Sequence, residues 1–246
     1  MNTVKISKTR TKLIAHRGLS GIECENTNAA FVAAANRSYY GIETDVHVTP
    51  DGRFVIIHDS KTTRVSQTEV DVDKQPFDEI KDVLLLNPRI IEAEQNVVRR
   101  DLLIPTLEEY LSICKKYDKV AVIELKGWMR DHLERLIEVV KTYGDLDKTV
   151  FISFIWDNVA ETRKLLPEQK VQFLCNKWED DLLEKLVKYN IDLDISYPAL
   201  SAETVQLLHT NGIEVNCWTT DTADVAERLM GYGVDYITTN ILEQAD

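Results

Sequence analysis

The chain contains few cysteines, and their spacing excludes two kinds of site. Its 246 residues include four cysteines, far apart and with no C-x-x-C pair: Cys24, Cys114, Cys175 and Cys217. Neither a zinc knuckle nor a disulfide framework fits this spacing. Unpaired cysteines are typical of a reducing compartment, so we expect a cytoplasmic protein.

Long apolar runs are absent as well. No stretch approaches the roughly 18 apolar residues that a transmembrane helix requires. The first twelve residues are polar and basic, and the apolar run that follows them, residues 13–15, is too short for a signal peptide. The sequence therefore predicts no stable membrane anchor.

Positive charge is scarce in this chain. With 29 Lys and Arg against 41 Asp and Glu, the formal net charge is -12. Proteins bind nucleic acids and anionic membranes through basic faces, so we expect neither as a partner. A small anionic substrate would need positive charge concentrated at its own site. The hydrophobic fraction of 44% is ample for a folded core.

Short apolar segments alternate with longer amphipathic ones along the chain. They predict strands at residues 13–15, 41–46, 120–125, 149–153, 171–174, 191–195, 213–217 and 234–238. Between them the pattern predicts helices at residues 26–36, 106–117, 130–143, 156–166, 178–189, 201–211 and 221–231. Eight strands alternating with helices indicate the α/β class and a single (β/α)8 TIM barrel domain over residues 1–246.

Two helix boundaries have recognisable chemistry. Thr106, after Pro105 and three residues before Glu109, predicts a capping box, in which the side chain of each residue bonds the other's backbone N–H. Ser201 is a good first cap for the helix that Gly212 can end. Both signals support the alternating pattern.

A hairpin and an insertion follow the second strand. Asp51-Gly52 between two apolar arms predicts a two-residue loop, which would place Asp45 directly opposite His58. A three-residue loop with a bulge would shift this register by one. Residues 60–104 form a polar insertion with little periodicity, and an insertion of this length is usually a lid, a binding wall or a disordered segment.

Polar side chains cluster where a barrel carries its active site, at the carboxyl ends of the strands. Glu43 and Asp45 lie two residues apart and therefore share one face of a strand. The other candidates at predicted strand ends are His16, Arg17, Glu124, Lys126 and Trp218.

These residues belong to an ordered series of motifs. The series comprises His16-Arg17-Gly18, Glu25-Asn26-Thr27, Glu43-x-Asp45, His58-Asp59, Ile104-Pro105-Thr106-Leu107-Glu108-Glu109, Glu124-x-Lys126 and Cys217-Trp218-Thr219. Over residues 13–240 it resembles the signature of glycerophosphodiester phosphodiesterases, and it is specific as a set. The resemblance implies a barrel enzyme of lipid and glycerol metabolism that hydrolyses glycerophosphodiesters to glycerol 3-phosphate and an alcohol.

The resemblance also implies roles for single residues. It makes His16 and His58 the catalytic pair, and Glu43, Asp45 and Glu124 the ligands of a divalent ion, Ca²⁺ or Mg²⁺. Carboxylates without cysteine suit such a hard cation, and imidazoles titrate near neutral pH. We expect the substrate phosphodiester to contact three further residues: Arg17, Lys126 and Trp218.

Two positions depart from the family's pattern. Cys24 stands where proline usually precedes Glu-Asn-Thr, and Asn240 stands where an acidic residue is common. Because proline fixes φ and cysteine does not, the first change affects the stiffness of a loop. Neither position belongs to the metal or proton-transfer set.

Several alternatives stay open at this level. A phospholipase-D-like lyase acting on lysophospholipid or sphingolipid headgroups would use the same residues, and a non-catalytic barrel that binds a phosphorylated ligand is a third hypothesis. Lys126 could pair with Glu124 instead of phosphate, and Glu25 could be a ligand or only a helix-terminal acid. We assign no function to His47, His132, His209, Asp192 and Asp194. The sequence does not specify the alcohol, the metal, the order of the histidines, the nucleophile or the oligomeric state.

Overall fold

The computed structural model of the protein describes residues 2–86 and 99–245. Its strands are β1 (Val4–Ile6), β2 (Lys12–Ala15), β3 (Gly41–Val48), β4 (Phe54–Ile56), β5 (Val120–Leu125), β6 (Thr149–Ser153), β7 (Lys170–Cys175), β8 (Asp192–Ser196), β9 (Val215–Trp218), β10 (Tyr236–Thr239) and β11 (Leu242–Gln244). Its α-helices are α1 (Asn28–Ala35), α2 (Phe77–Ile80), α3 (Leu107–Lys116), α4 (Leu133–Tyr143), α5 (Trp156–Leu165), α6 (Asp180–Tyr189), α7 (Ala202–Thr210) and α8 (Ala223–Tyr232).

Eight parallel strands close into a barrel. Their order is β2-β3-β5-β6-β7-β8-β9-β10, and β10 pairs with β2, with Thr239 opposite Ala15. Helices lie between successive strands, as right-handed crossovers require. The predicted (β/α)8 TIM barrel is therefore confirmed, and each predicted barrel strand is present.

The barrel strands are apolar on both faces because both faces are covered. In β5, Val120 and Val122 belong to a cluster inside the barrel, whereas Ala121 and Ile123 belong to the core between the barrel and its helices. This arrangement explains the continuous apolar run in the sequence. Glu124 continues the inward-facing set at the carboxyl end of the strand.

The predicted helix boundaries are confirmed where their chemistry is strongest. The Thr106 hydroxyl accepts from Glu109 N, and the Glu109 carboxylate accepts from Thr106 N at 2.8 Å, which completes the capping box of α3. Ser201 caps α7, and Gly212 follows that helix with a φ of +76°. The pattern missed the short parallel pair of β1 and β11, because three-residue strands are too short for periodicity to reveal.

The predicted hairpin register is wrong by one residue. Val46 pairs with Ile56 and Val48 with Phe54, so the loop has three residues and Gly52 adopts a φ of +84°. A left-handed glycine at the end of a three-residue loop forms the bulge that shifts the register. Asp45 therefore faces Ile57 rather than His58, and its carbonyl accepts from Ile57 N at 3.2 Å.

The described parts of the insertion pack on a small core of their own. Scattered apolar residues of the insertion, among them Val72, Ile80 and Leu85, contact Val55 and Ile57 at the hairpin. Residues 87–98 of the predicted insertion lie outside the described residues. Among the described residues, no helix combines the length and the hydropathy needed to cross a membrane.

Candidate active site

Three carboxylates converge at one side of the barrel mouth. Glu43 and Asp45 lie on β3, Glu124 lies on β5, and the parallel register places Asp45 beside Glu124. One oxygen from each lies within 4.8 Å of the others, and the three residues are only 3%, 1% and 8% exposed. The pleat of two neighbouring strands thus brings together acids that lie 81 residues apart in the sequence.

Two cations partly neutralise this cluster. Lys126 Nζ lies 3.0 Å from Asp45 Oδ1 and 2.8 Å from Glu124 Oε1, and Arg17 Nε lies 3.4 Å from Asp45 Oδ2. Burial favours the protonated form of Asp45, but Lys126 and Arg17 outweigh it and hold the pKa of Asp45 below its ordinary value. Burial and the charge of Asp45 raise the pKa of Glu124 to about 7, and burial with the same neighbour raises the pKa of Glu43.

The turn after β2 orients the cluster. Asn26, 1% exposed and with a φ of +55°, donates from Nδ2 to Asp45 Oδ2 at 2.7 Å and accepts from Thr44 Oγ1 at 2.9 Å. Arg17 N donates to Glu43 Oε2 at 2.8 Å. Thr27 caps α1, so Asn26 of the Glu25-Asn26-Thr27 motif is left to position a carboxylate.

His16 is the first residue after β2, and its tautomer is fixed by a neutral partner. Asn240 N and Nδ2 donate to the two oxygens of Asp221 at 2.7 and 2.6 Å, so Asn240 Oδ1 faces His16. His16 Nδ1 lies 2.8 Å from that oxygen and must be the donor. Nε2 therefore keeps its lone pair, and burial together with Arg17 lowers the pKa of His16 to about 4.

His58 has an acidic partner instead. Its Nδ1 lies 2.8 Å from Asp59 Oδ1, and its carbonyl oxygen lies 3.2 Å from Nε2 of His47. His47 is held in turn by Asp73 of the insertion at 3.0 Å, a role that the sequence did not indicate. Burial, Lys126 and Arg17 lower the pKa of His58, while Asp45 and Asp59 oppose that shift.

Glu25 lies beside the cluster but is not part of it. Its carboxylate bonds Arg17 Nη1 at 2.9 Å and accepts two hydrogen bonds from Arg64 of the insertion, each 2.8 Å. These contacts depress the pKa of Glu25 despite its burial. Neither role considered for Glu25 from the sequence, metal ligand or helix-terminal acid, describes these contacts, which position Arg17.

One cavity of about 190 Å³ connects these groups. Its charged side is formed by His16, Arg17, Glu43, His58 and Glu124, and its other side by Ile152, Phe154, Leu174, Asp194, Trp218 and Thr238. Both histidines thus line the same space as two of the acids. The hairpin slip does not separate them, because β4 ends at Ile56 and the turn that follows carries His58 to the cavity.

The donor set suits a hard divalent cation. Three buried carboxylates with converging oxygens exceed their two basic neighbours by one negative charge. Burial, together with the repulsion between these charges, raises the pKa values of Glu43 and Glu124. Oxygen ligands without cysteine or histidine match Ca²⁺ or Mg²⁺.

The predicted site residues come together, and the one that differs from expectation is Lys126. Lys126 contacts the carboxylates rather than lining the cavity, so the pairing considered from the sequence is present. Sequence reasoning set aside Asp194, which is 2% exposed and lines the cavity. Its position within an apolar strand was the available signal, and it was too weak to distinguish Asp194 from Asp192.

A family model confirms the resemblance on which the motif analysis depends. Residues 16–244 match the model of the "Glycerophosphoryl diester phosphodiesterase family". The chain belongs to the glycerophosphoryl diester phosphodiesterase family. Membership confirms the expected enzyme class, a phosphodiesterase.

Relatives of the glycerophosphoryl diester phosphodiesterase family align along nearly the whole chain. A glycerophosphodiester phosphodiesterase of Caldanaerobacter subterraneus subsp. tengcongensis is 32% identical over 237 residues, 94% of each chain. The structure of an Oleispira antarctica phosphodiesterase, in complex with the product sn-glycerol-3-phosphate, is 25% identical, with a TM-score of 0.85 over 93% of this chain and 92% of that one. The glycerophosphodiester phosphodiesterase structure from Parabacteroides distasonis is 29% identical, with a TM-score of 0.79 over 95% of this chain and 94% of that one.

Proposed function

We propose that this protein hydrolyses glycerophosphodiesters to glycerol 3-phosphate and an alcohol, with a divalent metal ion held by Glu43, Asp45 and Glu124. The observation that carries the proposal is one cavity lined by two histidines and by two of three clustered carboxylates. The names of the Caldanaerobacter relative and the product bound to the Oleispira relative support the substrate class.

The basic residues have a defined task in this proposal. A Ca²⁺ or Mg²⁺ ion bound to the carboxylates would supply charge that stabilises the phosphoryl oxygens. Arg17 lines the cavity, and Lys126 lies beside it on Asp45 and Glu124. A metal that took over these carboxylates would free both cations for the phosphoryl oxygens. Trp218 then contributes a wall of the pocket.

The two histidines differ in a way that assigns their roles. His16 donates Nδ1–H to a neutral amide and keeps a free Nε2 lone pair, so it is the base that removes the proton of the nucleophile. His58 is paired with the Asp59 carboxylate, which favours an imidazolium against the opposing effect of burial, so we assign to it the proton that goes to the oxygen of the leaving alcohol.

Product analysis tests this function. Purified protein with Ca²⁺ or Mg²⁺ and glycerophosphocholine should release choline and glycerol 3-phosphate, seen as a phosphomonoester by phosphorus NMR. A cyclic phosphate as the final product would instead support the lyase hypothesis. The absence of turnover on glycerophosphocholine, glycerophosphoethanolamine and related diesters with either metal would refute the proposal.

A further inference from the structure

The apolar side of the cavity contains two buried polar atoms that lack partners. Asp194 Oδ1 and Trp218 Nε1 are both inaccessible to solvent, and neither has a hydrogen-bond partner among the described residues. Both residues line the 190 Å³ cavity. Leaving a buried polar group unpaired costs about 1–3 kcal/mol, so such groups usually have a ligand or a water as partner.

The strand register places the two side chains on the same face. Asp194 is opposite Asn216, and Ser196 is opposite Trp218, on the neighbouring strands β8 and β9. Side chains alternate along a strand, so Asp194, Asn216 and Trp218 all project into the barrel. Trp218 lies one level nearer the mouth than Asp194.

The neighbouring polar residues inside the barrel bond one another and not Asp194. Asn216 Nδ2 donates to Gln172 Oε1 at 3.2 Å, and Thr238 Oγ1 donates to Asn216 Oδ1 at 3.3 Å. All three residues are 3% exposed or less. The unpaired atoms beside them are therefore a local feature of the cavity.

We infer that Asp194 and Trp218 together bind a hydroxyl group of the substrate's glycerol moiety. An indole N–H only donates and the carbonyl oxygen of a carboxyl group accepts, and an alcohol hydroxyl is the group that accepts from the first while donating to the second. Ile152 and Leu174 in the same wall would pack against the glycerol carbons. This inference rests on the proposed function, and it specifies which part of the diester enters the cavity.

A cationic headgroup fits the pair less well. A quaternary ammonium has no lone pair to accept from Trp218 Nε1, and it would leave that donor buried and unpaired. The cavity volume of 190 Å³ also lies below the roughly 300–1,000 Å³ typical of pockets for drug-sized ligands, which favours a group as small as glycerol.

Binding of product analogues tests the inference without any catalytic turnover. Titration calorimetry with Ca²⁺ present would compare glycerol 3-phosphate with propyl phosphate, which has the same carbon chain but no hydroxyl. We expect the wild type to prefer glycerol 3-phosphate by about 10–100-fold, which corresponds to the cost of leaving a buried polar group unpaired. Asp194→Ala should bring this ratio to near one, and Trp218→Phe should reduce it by about tenfold.

Controls separate ligand binding from a structural role. Asp192→Asn changes an acid on the same strand, at its amino-terminal end and away from the mouth. This variant should leave the ratio of the two affinities unchanged. The melting temperature of Asp194→Ala should not fall, because the variant removes an unpaired buried group. Equal weakening of both ligands, or a wild-type ratio in Asp194→Ala, would overturn the inference.

Two other outcomes would also overturn it. A wild-type ratio near one would mean that a water, not the substrate, satisfies the pair. Choline phosphate binding more tightly than glycerol 3-phosphate in an Asp194-dependent way would assign the pocket to the headgroup. Failure of the proposed function is a separate result, since it is the absence of turnover on glycerophosphodiesters by the wild type.

Discussion

The half of the barrel mouth built by β2, β3 and β5 is highly charged, whereas the half built by β6 to β9 is mostly apolar. The first holds the three clustered carboxylates with Arg17 and Lys126. The second presents aliphatic and aromatic side chains, with Asp194 as its buried acid. The difference indicates a division of labour, in which one half acts on the phosphoryl group and the other selects what is attached to it.

Removal of a carboxylate from the charged half should have the largest effect. Glu43→Gln keeps the shape of the side chain but loses one ligand charge, and with it several kcal/mol of charge stabilisation, so we expect kcat/KM to fall by about 10⁴-fold. Calorimetric titration with Ca²⁺ should show weaker binding. Glu203→Gln, in the exposed first turn of α7, is the control. Full activity in Glu43→Gln would remove this residue from the metal site.

Loss of either histidine should be nearly as damaging. His16→Ala and His58→Ala each remove one proton-transfer group, for which we expect kcat to fall by about 10³-fold with little change in KM. Circular dichroism should show an intact fold. His209→Ala, which removes a hydrogen bond with Asp235 away from the mouth, should retain normal turnover. A near-normal kcat in either variant would discredit the role assigned to that histidine.

The pH dependence of stability should reveal the crowding of carboxylates. The pKa of Glu124 is about 7 in the folded protein against 4.5 for an unperturbed glutamate, so the native state holds an extra proton between these values. The stability that protonated Glu124 contributes is fully present below pH 4.5 and is lost as the pH rises towards 7. The free energy of unfolding should fall by on the order of 2 kcal/mol over this range. Melting curves of metal-free protein at pH 5 and pH 7.5 should show this loss, and Ca²⁺ should stabilise more at pH 7.5.

Glu124→Gln provides the matched comparison for this pH effect. The variant cannot titrate at this position, so the loss of stability between pH 5 and pH 7.5 should be smaller than in the wild type. Identical pH profiles for the two proteins would show that Glu124 is not a titrating group in this range.

Replacement of Asn240 should change the pH profile of His16 more than its maximum rate. Asn240→Asp places a carboxylate on His16 Nδ1, and a nearby negative charge raises a histidine pKa by about 1–3 units. A base must be unprotonated to act, so the acidic limb of kcat/KM should move to higher pH. We expect about a tenfold loss at pH 5 and little loss at pH 8. An unchanged acidic limb would argue against His16 as the base.

A substitution in the apolar half should have the smallest effect. Phe154 is 41% exposed and packs edge-on against Trp218 with ring centroids 5.6 Å apart. Such a pair contributes about 0.5–1.5 kcal/mol, so Phe154→Ala should raise KM by about threefold and leave kcat unchanged. Steady-state kinetics with glycerophosphocholine measures both. A large fall in kcat would break the division between the two halves.

Local signals in the sequence were sufficient for the barrel and for most of its charged half. Short apolar segments predicted the eight barrel strands, and the spacing of Thr106 and Glu109 predicted the capping box. Glu43 and Asp45 share a face because they lie two residues apart. The histidines were located by motifs, although the hairpin register used to bring Asp45 and His58 together was wrong.

Other parts of the site depended on contacts between distant segments. Asn240 bonds His16 across 224 residues, and Asn26 orients Asp45 through a turn whose conformation no pattern revealed. Asp192 and Asp194 have the same local context in the sequence. The closure of the barrel decides that Asp194 faces the cavity, while Asp192 lies at the amino-terminal end of β8.

By itself the sequence determined the periodicity of the strands, the helix caps and the set of acids and imidazoles available for chemistry, because these depend on residues within a few positions of each other. Only the tertiary structure decided the hairpin register, the tautomer of His16 and the unpaired donor and acceptor in the apolar half. Those features arise from the pairing of strands and turns far apart in the chain, where burial and hydrogen bonding act between side chains that no local spacing relates.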